Sequence, residues 1–250
     1  MAEKNSLSPI INSRYKAKLA ETEEELEKAL QLRYQIFYQE LGRTFDEDAT
    51  HDRDEFDDLC HHLLILTTDS NEVIGTYRML TAEQLAGGTG FYSSTYYDLS
   101  PLHDDIFPKA IEVGRACIHP DHRNGRVLFL LWKGFAAYLQ TYNKRYLFGS
   151  FGVPANSPAM ALRTYQHFKD NGFLHPTIQC EVKPTYRLNE QSGETEVDPA
   201  VPPPLLQNYL DIGCCICSGP AYVSHLNLLH VMVYLDVHTI SPAVRRMFFG

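Results

Sequence analysis

Alternating and helical spacings of apolar residues predict the first elements of this chain. Residues 15–19 alternate between apolar side chains and lysines, which predicts a strand because successive strand side chains point to opposite faces. Thr22, with Glu25 three residues later, is typical of a capping box and predicts a helix that runs to about Leu41 and ends at Gly42. The inward face of this helix carries Leu26, Leu30, Arg33, Phe37 and Leu41.

The middle of the chain alternates between strand and helix patterns. Two apolar runs flank a polar turn at residues 69–72 and predict an antiparallel hairpin. Ser157 and Pro158 are typical of a helix start. The predicted strands are 62–68, 73–80, 111–118 and 146–153, and the predicted helices are 127–142 and 158–172.

The C-terminal part predicts a strand at 181–188, a helix at 205–212, a strand at 226–237 and a closing segment at 242–248. This order of elements indicates a mixed α/β (α+β) fold, with an antiparallel first half and a helical crossover later. We expect a core over residues 1–188, a linker-like segment at 189–204, and an extension at 205–250 packed on the same domain.

Composition and charge narrow the functions open to the chain. A net charge of −9 over 250 residues argues against nucleic-acid binding, which requires a basic face. Six cysteines stand outside any secreted-domain framework, which favours reduced thiols and a cytoplasmic protein. The N-terminus lacks an apolar signal core, and no apolar run reaches membrane-spanning length. Peripheral contact with the inner face of a membrane stays open.

Charged residues inside apolar patterns mark the candidate chemistry. They are Arg33, Arg78, Glu112 and Arg115. Unpaired buried charge is costly, so each of these side chains needs a partner. The acidic stretch 43–58 offers Asp54 and Asp57. Two interpretations stay open: a site for chemistry, or an ion-pair network that only holds this stretch in place.

Four blocks, in this order and at this spacing, carry a family resemblance. They are Leu32-Arg33-Tyr34-Gln35-Ile36-Phe37 with Leu41-Gly42, Asp54-Glu55-Phe56-Asp57 followed by Cys60-His61-His62-Leu63-Leu64-Ile65, Gly75-Thr76-Tyr77-Arg78-Met79-Leu80, and Glu112-Val113-Gly114-Arg115. On these blocks the chain resembles the GNAT acyltransferase superfamily, and within it the branch of acyl-homoserine-lactone synthases and ornithine-lipid N-acyltransferases. Residues 201–221 also resemble the lyso-ornithine-lipid synthases.

The resemblance implies a fold and a reaction. The fold would be a central, mixed and mostly antiparallel sheet, flanked by helices and splayed between two strands, here 111–118 and 146–153. The reaction would move an acyl group from the phosphopantetheine thioester of acyl carrier protein to a small amine, with no bound cofactor. An α-amino group is largely protonated at pH 7, so a carboxylate must take a proton. Glu112 is expected in that catalytic role, together with Arg115.

The resemblance also implies which residues bind the substrates. The amine substrate is expected at Arg33, Phe37, Asp54, Asp57 and Arg78. Arg123, Gly125 and Arg126 stand where GNAT enzymes keep a glycine-rich pyrophosphate turn. A single glycine here favours the one phosphate of a carrier-protein arm over coenzyme A. The expected acyl-pocket residues are Trp132, Phe148 and Phe151, although aromatic residues at such spacings are more often plain core.

Together these observations predict an N-acyltransferase. It would transfer a long-chain acyl group, with or without a 3-hydroxyl, from acyl carrier protein to the amine of an amino acid, with ornithine as the expected acceptor. Alternatives are a synthase acting on glycine or another amine, a lactone-signal synthase, and a non-catalytic module that binds acyl chains or carrier protein. The histidines and cysteines lack metal-site spacing, so no metal is expected.

Overall fold

The computed structural model describes residues 7–40, 50–85, 88, 90–102, 104–188 and 198–250. The chain forms two compact units. The first comprises Met1–Ala86, Val113–Lys144 and Arg245–Gly250, and the second comprises Gly87–Glu112 and Arg145–Val244. The predicted helix end at Leu41 and Gly42, and residues 189–197 of the predicted linker, lie outside the described residues.

The first unit contains a run of strands, of which the first four pair antiparallel. In chain order these are β1 (Ile10–Ile11), β2 (Tyr15–Leu19), β3 (His61–Thr67) and β4 (Val73–Thr81), followed by residues 113–118 of β5 (Ala110–Ile118). The predicted hairpin is confirmed, since β3 and β4 pair antiparallel with His62 opposite Arg78. The short strand β1 extends the edge of β2, which the sequence did not predict.

Two helices pack against the strands of the first unit. Helix α1 (Glu23–Tyr34) begins where predicted, because Thr22 Oγ1 accepts a hydrogen bond from Glu25 N at 3.2 Å. It continues into one π-helical segment (Gln35–Glu40). Helix α1 packs against β3 and β4, whereas α2 (Gly125–Thr141) packs against β2 and β3. The apolar core beneath α1 comprises Ala29, Leu32, Ile36, Phe37, Tyr38, Leu64, Leu66, Val73 and Cys117.

The second unit is organised around β6 (Tyr146–Pro154) and its long antiparallel neighbour. Two short strands, β7 (Cys215–Ile216) and β8 (Ala221–Val223), precede this neighbour, which is the last strand, β9 (Leu228–Asp236). Both short strands pair antiparallel with β9. Residues 110–112 of β5 pair in parallel with residues 146–148 of β6. Among the described residues this ladder comprises three pairs, whereas β6 pairs with β9 at nine positions.

The two faces of the second unit differ. One face carries Val153, Leu229, Val231 and other apolar residues that pack against α3 (Pro158–Asp170) and α4 (Pro204–Asp211). On the other face, Phe91 lies 5.0 Å from Phe148, measured between ring centroids. The chain ends in α5 (Pro242–Phe249). Within the described residues no helix is long and apolar enough to cross a membrane.

The predicted strand at 181–188 is wrong. The chain there makes isolated bridges, Tyr97 to Val182 and Arg187 to Ala221, on either side of a 3₁₀ turn at Pro184–Tyr186. Pro184 has no backbone N–H and a fixed φ, so it cannot continue a strand ladder. The fold class is confirmed as mixed α/β, with a mostly antiparallel open sheet and flanking helices. The splay between the two strands stays a prediction.

Candidate active site

A buried arginine–aspartate cluster forms in the first unit. Its members are Arg33, Asp52, Asp54, Asp57, Arg78 and Arg115. Arg33, from α1, donates from Nε to Asp52 Oδ2 at 2.7 Å. It also donates from Nη1 and Nη2 to Asp57 Oδ1 and Oδ2 at 2.6 and 3.1 Å. The guanidinium group of Arg33 thus makes charge-assisted hydrogen bonds to two protein carboxylates.

The other two arginines of the cluster come from neighbouring strands. Arg78, on β4, donates from Nη1 to Asp54 Oδ1 at 2.5 Å and to Asp57 Oδ1 at 3.1 Å. Arg115, on β5, donates from Nη2 to Asp54 Oδ2 at 2.9 Å. Asp54 therefore links two arginines. The cluster brings together the sequence-predicted Arg33, Asp54, Asp57, Arg78 and Arg115, and adds Asp52, which the sequence did not single out.

Electrostatics favour the charged forms of Asp54, Asp57 and Arg78. Burial opposes the charge of Asp57, but the hydrogen bond and charge of Arg33 outweigh it and hold the pKa of Asp57 well below its usual value. Burial also opposes the charge of Asp54, yet the charges of Arg78 and Arg115 lower its pKa. The pKa of Arg78 is raised because its two aspartates outweigh the effect of burial.

The backbone of Arg115 is unusual for a strand. Its φ is +54°, in the left-handed region that favours glycine. Non-glycine residues in this region cost roughly 1–2 kcal/mol and persist where the surroundings enforce them. The ion pair with Asp54 is one such restraint.

Glu112 lies in the second unit, buried at the last residue of the β5–β6 ladder. Its Oε2 accepts a hydrogen bond from Tyr92 N at 2.7 Å, and its Oε1 accepts one from Ser93 N at 2.6 Å. These two bonds fix the orientation of the carboxylate. A carboxylate oxygen carries two lone-pair sites, so a carboxylate at this position is chemically able to act as a proton acceptor.

The predicted donor turn precedes α2 in the first unit. Asn124 Oδ1 caps the helix by accepting from Arg126 N at 3.0 Å and Val127 N at 3.2 Å. Arg123 Nε donates to Ile118 O at 3.1 Å, and the side chains of Arg123 and Arg126 are exposed. A Cβ added to Gly125 would meet no atom within 4 Å. The turn therefore presents two exposed cations next to open space.

The predicted acyl-pocket residues occupy different surroundings. Trp132 packs in the first unit against Phe135 and Phe248, with ring centroids 5.7 and 5.6 Å away. In the second unit, Phe148 lies on the Glu112 face, because the two residues are paired across strands. Phe151 lies on the opposite face, with the α3–α4 core. Phe37, predicted to bind the amine substrate, packs in the apolar core beneath α1.

The histidines that could suggest a metal have protein partners. His61 Nδ1 and Tyr138 Oη are hydrogen-bonded at 2.7 Å, and His62 Nε2 lies 3.0 Å from Asp57 O. Within the described residues there is no group of three or more candidate metal ligands. All six cysteines are free thiols.

Sequence reasoning missed a polar pair in the second unit. Ser150 Oγ and His230 Nδ1 are hydrogen-bonded at 2.9 Å between β6 and β9. A signal existed, because His230 interrupts an otherwise apolar run in the predicted strand 226–237, as Arg33 interrupts its helix.

Comparisons with known proteins agree with this architecture. Residues 32–133 match the family described as acetyltransferase (GNAT) domain. The curated L-ornithine N(alpha)-acyltransferase of Rhodobacter capsulatus is 28% identical over 247 residues, covering 94% of each chain. The protein of the same name from Brucella abortus is 28% identical over 244 residues, covering 90% of this chain and 85% of its own. Among solved structures, the AHL synthase LasI shares the fold, with a TM-score of 0.52, 13% identity and 96% coverage of each chain.

These findings give the class: residues 32–133 match a GNAT acetyltransferase domain, and the chain is an acyltransferase. Over most of its length it is similar to proteins named L-ornithine N(alpha)-acyltransferase.

Proposed function

We propose that this protein transfers a long-chain acyl group, with or without a 3-hydroxyl, from acyl carrier protein to the α-amine of ornithine. The observation that carries the proposal is the similarity to proteins named L-ornithine N(alpha)-acyltransferase, which covers 94% of the chain for one relative and 90% for another. The free thiols are consistent with a cytoplasmic reaction. The product is an amphiphile, so we place the enzyme in the cytoplasm with peripheral contact at the membrane.

Glu112 is the proposed proton acceptor. The α-ammonium of ornithine first gives a proton to water, and the neutral nitrogen then bonds to the thioester carbonyl carbon. The carbon–sulfur bond breaks, and its electron pair leaves with sulfur. The nitrogen must lose a proton, and the fixed carboxylate of Glu112 takes it directly or through one water. Two backbone amides hold this carboxylate, so it is oriented before the substrate binds.

The two partly exposed members of the arginine–aspartate cluster carry charges opposite to those of the acceptor. Side-chain exposure is 0% for Arg33 and 5% for Arg78, but 17% for Arg115 and 22% for Asp54. Ornithine carries a carboxylate and a second ammonium beside the reacting amine. We assign the carboxylate to Arg115 and the second ammonium to Asp54. The buried members then hold these two side chains in place.

The donor is proposed to enter at the turn before α2. Arg123 and Arg126 are exposed and would bind the phosphate of the carrier arm. Acyl carrier proteins are acidic, and these cations stand out against a net charge of −9. Phe148, on the Glu112 face, is proposed to contact the acyl chain.

The test is thiol release from acyl carrier protein and from acyl-CoA, each with ornithine, glycine and lysine, with the product read by mass spectrometry. We expect N-acyl-ornithine as the main product and faster release from the carrier protein. A different acyl-amine would reassign the acceptor. Absence of release with every amine would overturn the proposal.

The matched variants are Glu112→Gln and Glu181→Gln, the second at an exposed carboxylate. Glu112→Gln is expected to slow release by about two orders of magnitude or more, and Glu181→Gln to leave it unchanged. Because Glu112 also binds two backbone amides, the melting temperature of each variant is measured alongside. Unchanged turnover in folded Glu112→Gln would remove Glu112 from the mechanism.

A further inference from the structure

The Ser150–His230 pair lies on the same face of the second unit as Glu112. Glu112 pairs with Phe148, so these two side chains share a face, and Ser150 follows two residues later on β6. On β9, His230 stands opposite Gly152, which also belongs to this face. The hydrogen bond between Ser150 Oγ and His230 Nδ1 runs diagonally between the strands.

Local packing holds the imidazole of His230 in position. A Cβ on Gly152 would lie 3.3 Å from His230 Nε2, so a glycine at this position lets the ring lie close to β6. The ring of Tyr96 covers the imidazole at a centroid distance of 4.4 Å. His230 is buried, whereas Ser150 and Gly152 are partly exposed. A ligand on this face can therefore reach the hydroxyl before it reaches the imidazole.

A second observation is an unsatisfied buried hydroxyl next to Glu112. Ser93, whose amide donates to Glu112, has a buried hydroxyl with no hydrogen-bond partner among the described residues. Buried hydroxyls are normally satisfied by protein, water or ligand. The turn that carries Ser93 also carries Tyr96, which covers His230. Glu112, Ser93 and the Ser150–His230 pair thus belong to one polar region of the second unit.

We propose that Ser150 and His230 supply the proton that the departing sulfur requires. This inference rests on the proposed acyl transfer, in which Glu112 removes a proton from the amine. As the carbon–sulfur bond breaks, the thiolate takes the hydroxyl proton of Ser150, and Ser150 takes a proton from protonated His230. Glu112 ends protonated and His230 neutral, and proton exchange with solvent restores both. Ser150 is then catalytic, and His230 acts through it.

The test compares two donors that differ in their need for an acid. An alkyl thioester such as palmitoyl-acyl carrier protein releases a basic thiolate, whereas palmitoyl thiophenol ester releases a weakly basic one. Ser150→Ala and His230→Gln are expected to slow release from the alkyl thioester by about 100-fold or more, and from the aryl thioester by less than about 5-fold. Glu112→Gln is expected to slow both donors, since it acts on the amine.

Two controls separate this role from a structural one. His225→Gln changes an exposed histidine of the same unit and should leave both rates unchanged. Ser150→Thr keeps the hydroxyl and should retain most of the alkyl-thioester rate. Equal slowing of both donors by Ser150→Ala, or no slowing of either, would overturn this inference alone. Absence of thiol release by the unchanged protein would overturn the proposed function and this inference with it.

Discussion

Arg33 and Asp57 form a two-point hydrogen-bonded ion pair in which neither side chain has exposed surface. Arg33 comes from α1, and Asp57 lies in the acidic stretch 43–58 that precedes β3. Asp57 also accepts from Arg78 on β4. One carboxylate thus connects a helix, a loop and a strand, which makes this pair the center of the arginine–aspartate cluster.

Removing Asp57 should destabilise the fold strongly. Asp57→Ala would leave Arg33 and Arg78 buried with less compensating charge, and breaking one partner of a buried pair costs about 3–5 kcal/mol. The matched control is Asp58→Ala, one residue later, where the carboxylate is exposed and pairs with Arg53. We expect a loss below about 1 kcal/mol there. Urea unfolding checks both values, and equal losses would contradict the distinction between the two carboxylates.

The same cluster predicts acid sensitivity. The pKa values of Asp54 and Asp57 are lower in the folded protein than their usual values. Stability from a lowered carboxyl pKa is fully present above the unfolded pKa, near 4, and is lost as pH falls toward the folded value. The free energy of unfolding should therefore fall below about pH 5, and the fall should be shallower in Asp57→Asn. If the free energy of unfolding fell as steeply with pH in Asp57→Asn as in the unchanged protein, Asp57 would not be a source of the acid sensitivity.

At position 115, glycine should give a more stable protein than alanine, which is the reverse of an ordinary strand position. At a φ of +54°, Arg115→Gly should be more stable than Arg115→Ala by about 1 kcal/mol, because both lose the Asp54 contact and only alanine keeps the steric cost. Ala116→Gly, at the next residue of the same strand, should instead destabilise by about 0.5–1 kcal/mol. Thermal and urea unfolding measure the three variants. Arg115→Ala being the more stable would contradict the role of the backbone conformation.

The sequence could predict that a charge cluster exists but not its full membership. Arg33 within an apolar helix face requires an acidic partner, and the stretch 43–58 was the available source. Along that stretch, however, Asp52 and Asp58 look alike. The fold buries Asp52 against Arg33 and leaves Asp58 exposed beside Arg53, and this difference depends on tertiary contacts that the local sequence does not show.

Long-range partners limited the prediction in the second unit as well. His230 is a polar residue in an apolar run, which the sequence analysis did not use, and its partner Ser150 lies 80 residues away. Which side chains meet across β6 and β9 depends on register, and a shift of one residue would move every side chain to the other face. Local signals did predict the hairpin, the helix starts at Thr22 and Ser157, and the strand carrying Glu112.

Gly134 marks the close approach of α2 to β3. A Cβ at this residue would lie 2.7 and 2.9 Å from the two methyl carbons of Leu63, closer than packed atoms allow. Alanine favours a helix by about 1 kcal/mol over glycine, but overpacking a core costs about 1–3 kcal/mol, so Gly134→Ala should be net destabilising. Leu63→Ala alone leaves a cavity and should cost about 2–5 kcal/mol. In the double variant the new methyl occupies part of the space that Leu63 vacates. We therefore expect the double variant to lose less stability than the two single variants added together, by about 1 kcal/mol or more. Urea unfolding of the four proteins measures this coupling, and strict additivity, or a rise in stability for Gly134→Ala alone, would contradict the close contact.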